Sequence, residues 1–361
     1  MSVIKTFVLA CAVSFAYAAE NNLPVVTAMP AVVTEGNAFD LVLAGNAPDA
    51  CGYLVSPARI DSDVITVTLK RPEQICADVI SPFRILINPF SAGTSARAGT
   101  YKVRIELQQG STAPRLLAFT LVPVLRANAA PLVPEAGNWN FEPGGRFANS
   151  GSGVNFLIER QGPSAVVVAN FYDSSGAPVW YFNAGPMQAH VQQGLLYDVR
   201  GGQALFGAYK PPSTVEPIGK LAVEFATPTR ATVWISQPID AGLSGGLKLM
   251  PISISRFNFG YGNAPVALTG NWVLASEVAG GSETRQLNLL SIAGTGNTVA
   301  SYSDGEFRLN CALDPVVVES LAGACVLLRS GLQVASFEQV GFTRLRGRDS
   351  SGKPVSMFKV D

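Results

Sequence analysis

The sequence predicts an all-β protein, and three observations carry that prediction. Apolar residues alternate with polar ones in many short runs. The clearest places Tyr101, Val103, Ile105 and Leu107 on one face and Lys102, Arg104, Glu106 and Gln108 on the other, as in a half-buried strand of an antiparallel sheet. The runs are separated by turn-forming residues in a chain with 35 Gly, 24 Pro, 48% hydrophobic and only 14% charged residues. That balance suits a globular β-fold and not a helical or disordered one. Finally, Gly-Asn-Trp occurs twice, at Gly137–Trp139 and Gly270–Trp272, which marks the starts of two related units.

Residues 1–18 read as a signal peptide. Lys5 is its positive end, Thr6–Phe15 its apolar core, and Ala16-Tyr17-Ala18 its cleavage site. Val8-Leu9-Ala10-Cys11 has the outline of a lipidation site, but only five residues separate Cys11 from Lys5, and plain cleavage is the favoured reading. No second long apolar run follows, so the expected mature protein is soluble, with no integral membrane segment. Cleavage removes Lys5 and no acid, leaving one fewer basic residue than the 26 acidic ones, a net charge of about −1. Such a chain has no basic excess for nucleic acid or an anionic membrane. Four cysteines remain, Cys51, Cys76, Cys311 and Cys325. An exported chain should oxidise them. The local pairing Cys51–Cys76 and Cys311–Cys325 is expected, each loop contributing ~3 kcal/mol.

Residues 19–126 form the first predicted domain, with strands near Phe39–Leu43, Val64–Lys70, Phe83–Ile87, Tyr101–Gln108 and Leu116–Val122. Short strands between Gly, Pro and Asp turns suggest a β-sandwich. Ala98-Gly-Thr-Tyr-Lys-Val103 resembles the penultimate strand of bacterial immunoglobulin-like domains. The resemblance implies that Tyr101 bonds back to the preceding corner. No Trp precedes Trp139, so the inter-sheet Cys…Trp…Cys of antibody domains is missing, and Cys51–Cys76 is expected to tie a loop or edge. Residues 127–136 are Ala- and Pro-rich and read as a short, semi-stiff linker.

The second unit, 137–262, has strand candidates at Trp139, Val154–Glu159, Ala165–Phe171, Val179–Asn183, Leu195–Val199, Leu221–Phe225, Thr232–Ile235 and Ile252–Phe257. About eight short strands suffice to close a small barrel, with a sandwich as the alternative. Its motifs are Gly137/Trp139, Gly151/Gly153/Asn155, Tyr172/Asp173/Gly176/Pro178/Trp180 and Ile254/Arg256/Phe259/Gly260. They resemble a β-repeat of exported proteobacterial proteins that has no assigned activity. The resemblance implies export from a Gram-negative cell, to the periplasm or beyond, and β architecture, but no reaction. Residues 140–150 depart from the repeat's shorter, Trp-rich segment. A fold-level analogy to lipocalin- and avidin-like barrels pairs a first-strand Trp with a last-strand Arg, here Trp139 and Arg256. It carries no function.

Residues 263–361 read as a divergent copy opening at Trp272. Its Val299–Asp304 parallels Val168–Asp173, while the Pro-x-Trp hairpin is absent, so the unit is expected to keep the opening and lose the middle. Asp349-Ser-Ser-Gly352 reuses the Asp173-Ser-Ser-Gly176 turn at a different place.

Chemistry-bearing residues are sparse. The chain has one histidine, His190, which excludes multi-His metal sites. Gly242-Leu-Ser-Gly-Gly246 matches Gly-x-Ser-x-Gly, but strands flank it and His190 precedes Ser244, contrary to a nucleophile elbow. No carboxylate pair, phosphate loop or Cys-x-x-Cys stands out, and no cofactor or metal is expected. What remains is an aromatic hairpin with Tyr172, Trp180, Tyr181 and Phe182 as candidate contact residues. Tyr101, Trp139, Arg256 and Trp272 are the expected structural residues. The expected function is non-catalytic binding or adhesion to a protein or glycan outside the inner membrane. The alternatives are a secreted hydrolase inhibitor or a cryptic hydrolase through Ser244 and His190.

Overall fold

The structure is a computed structural model that describes residues 24–90, 94–129, 131–142, 154–238, 246–257, 268–278, 281–292, 298–313 and 321–360. The signal-peptide reading, Gly151, Gly153, Ser244, Phe259, Gly260 and most of the 140–150 segment lie outside the described residues. The elements described are all strands, as the alternating runs require. No helix of the described residues is long and apolar enough to cross a membrane.

The N-terminal strands are β1 (Val25–Met29), β2 (Val33–Thr34), β3 (Asp40–Ala47), β4 (Leu54–Val55), β5 (Arg59–Asp61), β6 (Val64–Lys70), β7 (Ser81–Ile87), β8 (Gly99–Gln108) and β9 (Arg115–Leu125). They form a three-stranded sheet, β1-β3-β7, and a six-stranded one, with β2-β9-β8-β6-β4 in line and β5 beside β6. One core of residues such as Phe39, Leu41, Leu43, Ile65, Val67 and Leu117 lies between the two sheets, which makes this a β-sandwich. The strand of Tyr101 departs from its expected setting. It pairs antiparallel with β9 but parallel with β6. The chain leaves for the other sheet as β7 between β6 and β8, so it re-enters running the same way. The Tyr101 hydroxyl accepts a hydrogen bond from Arg97 N at 3.1 Å, closing the corner ahead of its own strand. Cys51 and Cys76 are bonded, and they join the segment after β3 to the segment before β7.

The next eight strands are β10 (Gly137–Phe141), β11 (Asn155–Gln161), β12 (Ser164–Tyr172), β13 (Pro178–Gln188), β14 (Val191–Arg200), β15 (Thr214–Thr227), β16 (Arg230–Pro238) and β17 (Leu247–Arg256). They close a barrel in sequence order. Closure is made by β10 and β17, where Trp139 stands opposite Arg256 and Phe141 opposite Ile254. Trp139, Phe156, Ile158, Val167, Ala169, Val223, Phe225 and Ile254 are fully buried. Closing the sheet satisfies both edges and gives every second residue an interior position.

The last eight strands form a second closed barrel: β18 (Gly270–Val278), β19 (Gly281–Ile292), β20 (Val299–Ser303), β21 (Phe307–Leu313), β22 (Leu321–Arg329), β23 (Leu332–Val340), β24 (Arg344–Asp349) and β25 (Pro354–Val360). Trp272 stands opposite Lys359 at its closure. The expected loss of the middle is therefore a loss of one motif and not of strands. Alternation supplies the barrel whether or not a Pro-x-Trp hairpin is kept. Cys311 and Cys325 are register partners on β21 and β22 and are bonded across the hairpin.

By packing, the chain divides into two compact units. One combines the sandwich with residues 193–222 and 234–250, and the other holds 130–192, 223–233 and 251–361.

Candidate functional site

The aromatic hairpin β12–β13 is set by its turn. The Asp173 carboxylate accepts from Ser175 N at 2.8 Å, Ser175 Oγ at 2.6 Å and Ala177 N at 3.0 Å. Gly176 N donates to Asp173 O, and Gly176 has φ of 83°. This fixes the register, so the side on which each aromatic falls follows from parity. Ala169 and Val167 are buried inside the barrel. Tyr181 stands opposite Ala169 and therefore turns inward, its ring 6.4 Å from Phe171. Phe171 packs in turn against Phe156 at 5.6 Å and Phe141 at 6.5 Å. Tyr172, Trp180 and Phe182 have the opposite parity and turn outward. Trp180 is 45% exposed and Tyr172 47%, while Phe182 is half-buried. The four candidate contact residues thus separate into three on the outer surface and Tyr181 within the barrel.

Trp180 has neighbours that the sequence did not connect. Asn155, Asn170 and Trp180 are successive register partners on β11, β12 and β13. The Asn170 amide donates to Asn155 Oδ1 at 2.7 Å. The outer wall therefore carries a row of two coupled carboxamides beside an exposed indole, with Tyr172 two residues along β12. Carboxamides offer both donors and acceptors, and the indole offers a flat apolar face.

A second exposed feature is the connection between β14 and β15. Leu205, Phe206 and Tyr209 are 87%, 98% and 85% exposed. The base is held by Ser213 N donating to Arg200 O at 3.0 Å, and the bend by Gly207 N to Ala204 O at 2.9 Å. Gln203 Nε2 donates to Gly207 O at 3.0 Å. No local sequence signal marks this loop, which lies between strand candidates and has no periodicity of its own.

The other aromatics are structural. Trp139 and Trp272 are fully buried. Trp234 packs on Phe119 of the sandwich, ring centroids 5.3 Å apart. Arg256 faces inward and covers the Gly137 backbone. It donates from Nε to Ala136 O at 2.7 Å, from Nη1 to Asn138 O at 3.2 Å, and also to Phe257 O. Among the described contacts no cation–ring stacking joins Arg256 to Trp139. The carbonyls at the start of β10 satisfy the guanidinium instead.

His190 lies in the turn before β14, half-buried, with its carbonyl accepting from Phe225 N. On the sandwich, Asp49, Cys51 and Cys76 are the one trio of metal-type donors among the described residues. The two sulfurs are in the disulfide, and Asp49 is paired with Arg71 and Cys51 N, which leaves no ligand set. The Arg71 hydrogen bond holds the Asp49 carboxyl below the usual range. Beside this bridge lies a polar hollow of about 610 Å³ lined by Asp49, Arg71, Glu73, Asp78 and Gln108. Lys220, next to the sandwich strand β9 residues Leu117–Phe119, is pushed down to about 8 by burial.

No family model matches the chain, and no curated protein matches it.

Proposed function

We propose that this is an exported, non-catalytic binding protein that recognises a glycan outside the inner membrane through the outer wall of its first barrel. The observation that carries the reading is the row Asn155–Asn170–Trp180 on three adjacent strands. The apolar face of a sugar ring packs on an exposed indole, while its hydroxyls exchange hydrogen bonds with neighbouring carboxamides. Export agrees with the two disulfides, which persist in oxidising compartments, and with the signal-peptide reading. The resemblance to the exported proteobacterial repeat points the same way, to the periplasm or cell exterior. Titrating a panel of neutral oligosaccharides should shift the tryptophan emission, and Trp180→Ala should abolish the shift without changing stability. If no oligosaccharide perturbs the emission, the glycan reading fails.

A second reading, inhibition of a peptidase or other hydrolase, is favoured by the loop bearing Leu205, Phe206 and Tyr209. Exposed apolar side chains on a pinned loop suit insertion into a partner's cleft. Leu205→Asp with Phe206→Asp would remove binding to a protein partner under this reading and leave glycan binding intact.

A further inference from the structure

Arg160 lies two residues beyond Ile158, which stands opposite Gly137, so it sits at the end of the first barrel where β10 begins. The chain just before β10 is tied there to the second barrel, Gln339 binding Pro131 and Val133 and Thr343, next to Arg344, binding Glu135. Arg160 on β11 and Arg344 and Arg346 on β24 are thus gathered at one place within one compact unit. Arg344 and Arg346 flank the buried, inward Leu345, so both leave the second barrel on its outer side. The Arg344 guanidinium lies over the Phe358 ring, 4.5 Å from its centroid, opposite its own strand position. Arg346 stands between Gln339 and Ser356 in the same cross-strand row. Gln339 is already committed to the chain before the first barrel: its Oε1 accepts from Val133 N and its Nε2 donates to Pro131 O, both at 3.2 Å.

The Nε atoms of Arg160, Arg344 and Arg346 are all buried without a hydrogen-bond partner. Among the described residues no carboxylate is paired with any of the three. Glu135, close by at the turn before β24, has its carboxylate engaged by Thr343 N at 2.8 Å and Thr343 Oγ1 at 2.9 Å. Other arginines of the chain do have acids: Arg230 has Glu142, Arg200 has Asp198, and Arg285 and Arg329 share Glu306. Three guanidiniums without acids, each with a buried orphaned donor, are costly unless an anion completes them.

We propose that Arg160, Arg344 and Arg346 form a binding site for a tetrahedral oxyanion, a phosphate or sulfate group. Each guanidinium presents a planar fork of donors, and three forks need more acceptor oxygens than one carboxylate supplies. The electrostatics agree with this geometry. Burial, then the Arg160 charge, holds Arg344 below the ordinary arginine range. Burial followed by the charges of Arg344 and Arg160 does the same to Arg346. A dianion would relieve this mutual repulsion.

The test is calorimetric titration and thermal unfolding of the full chain with inorganic phosphate, sulfate or glucose 6-phosphate, against chloride at matched ionic strength. Phosphate or sulfate should bind saturably and raise Tm, and chloride should not. Arg160→Gln and Arg346→Gln should each weaken binding by about tenfold or more, the value of a lost charged hydrogen bond. Without the anion both variants should unfold at the wild-type temperature or above, because a like charge has gone. Arg344→Gln also loses its ring contact, so the other two variants decide the question. Tighter binding of glucose 6-phosphate than of phosphate assigns the group to an ester, and the reverse order assigns it to the free ion. Either ranking supports the site. An equal Tm shift with chloride, or unchanged affinity in Arg160→Gln and Arg346→Gln, overturns it.

Discussion

Trp139 and Trp272 hold the same place in the two barrels. Each lies on the first strand, fully buried, and donates its Nε1–H to the carbonyl four residues earlier, Glu135 O at 3.2 Å and Leu268 O at 2.9 Å. Each is preceded at two residues' distance by a glycine at nearly the same angle, φ 114° at Gly137 and 115° at Gly270. Each faces a basic residue on the closing strand. Beyond this the barrels diverge. Arg256 covers Gly137 and bonds to carbonyls, whereas Lys359 lies 6.0 Å from the Trp272 ring. The first barrel buries a polar pair, Gln192 Nε2 donating to Asn183 Oδ1 at 2.5 Å. The second has a disulfide, Cys311–Cys325, among Leu309, Leu327 and Phe337. The closing device is therefore separable from the interior: a buried Trp with a satisfied indole pins the first strand, and the interior is free to change.

If that device carries closure in both, Trp139→Ala and Trp272→Ala should each cost ~3–5 kcal/mol, read from urea unfolding. A small loss at either position would break the equivalence. The disulfide should set the barrels apart next. Cys311→Ala with Cys325→Ala closes no loop of 14 residues and should cost ~3 kcal/mol, lowering the unfolding temperature of the second barrel while the cysteine-free first barrel is unchanged. The polar pair gives the converse. Gln192→Leu should cost ~1–3 kcal/mol by taking the Gln192 donor from buried Asn183, and Asn183→Leu with Gln192→Leu less than the sum of the two single changes.

The paired glycines sharpen the comparison further. Gly137→Ala and Gly270→Ala both place a side chain in the left-handed region, at ~1–3 kcal/mol. A Cβ at 137 would also lie 2.5 Å from Arg256 Nη2, against 3.5 Å from Lys359 Cε at 270, so Gly137→Ala should be the more damaging in the same unfolding assay. The smallest effect expected is at Glu135, whose carbonyl receives Trp139 and whose carboxylate is seated at Gly341 and Thr343. Burial pushes its carboxyl above the usual range, against the Thr343 hydrogen bonds. The native state then binds this proton more tightly than the unfolded chain, so the Glu135 contribution is full below the ordinary carboxylate pKa and is lost as pH rises through the elevated one. Stability measured across mildly acidic pH should show this slope, and Glu135→Gln should flatten it.

Strands were legible where alternation was strict. Val64–Lys70 emerges with its expected ends, and Tyr101 bonds back to Arg97 as its resemblance implied. Both disulfides were legible from the even cysteine count and the signal-peptide reading, because each pair falls within one predicted domain and joins segments close in sequence. The candidate site was legible only in part. Parity along one strand separates Trp180 from Tyr181, but which parity faces outward depends on what the strand packs against. The Asn155–Asn170–Trp180 row needs three strands in register, and Arg160 is far in sequence from Arg344.

The sequence by itself determined the all-β class, the eight strands of the first Trp unit, the two Gly-Asn-Trp openings and the Asp-Ser-Ser-Gly turns, because these rest on local period and turn chemistry. Tertiary structure alone decided that β6 and β8 run parallel and that both Trp units close completely. It also decided that Arg256 bonds to carbonyls and that three arginines gather without acids. These depend on which strands meet across long stretches of chain, and a local pattern holds no record of its distant partner.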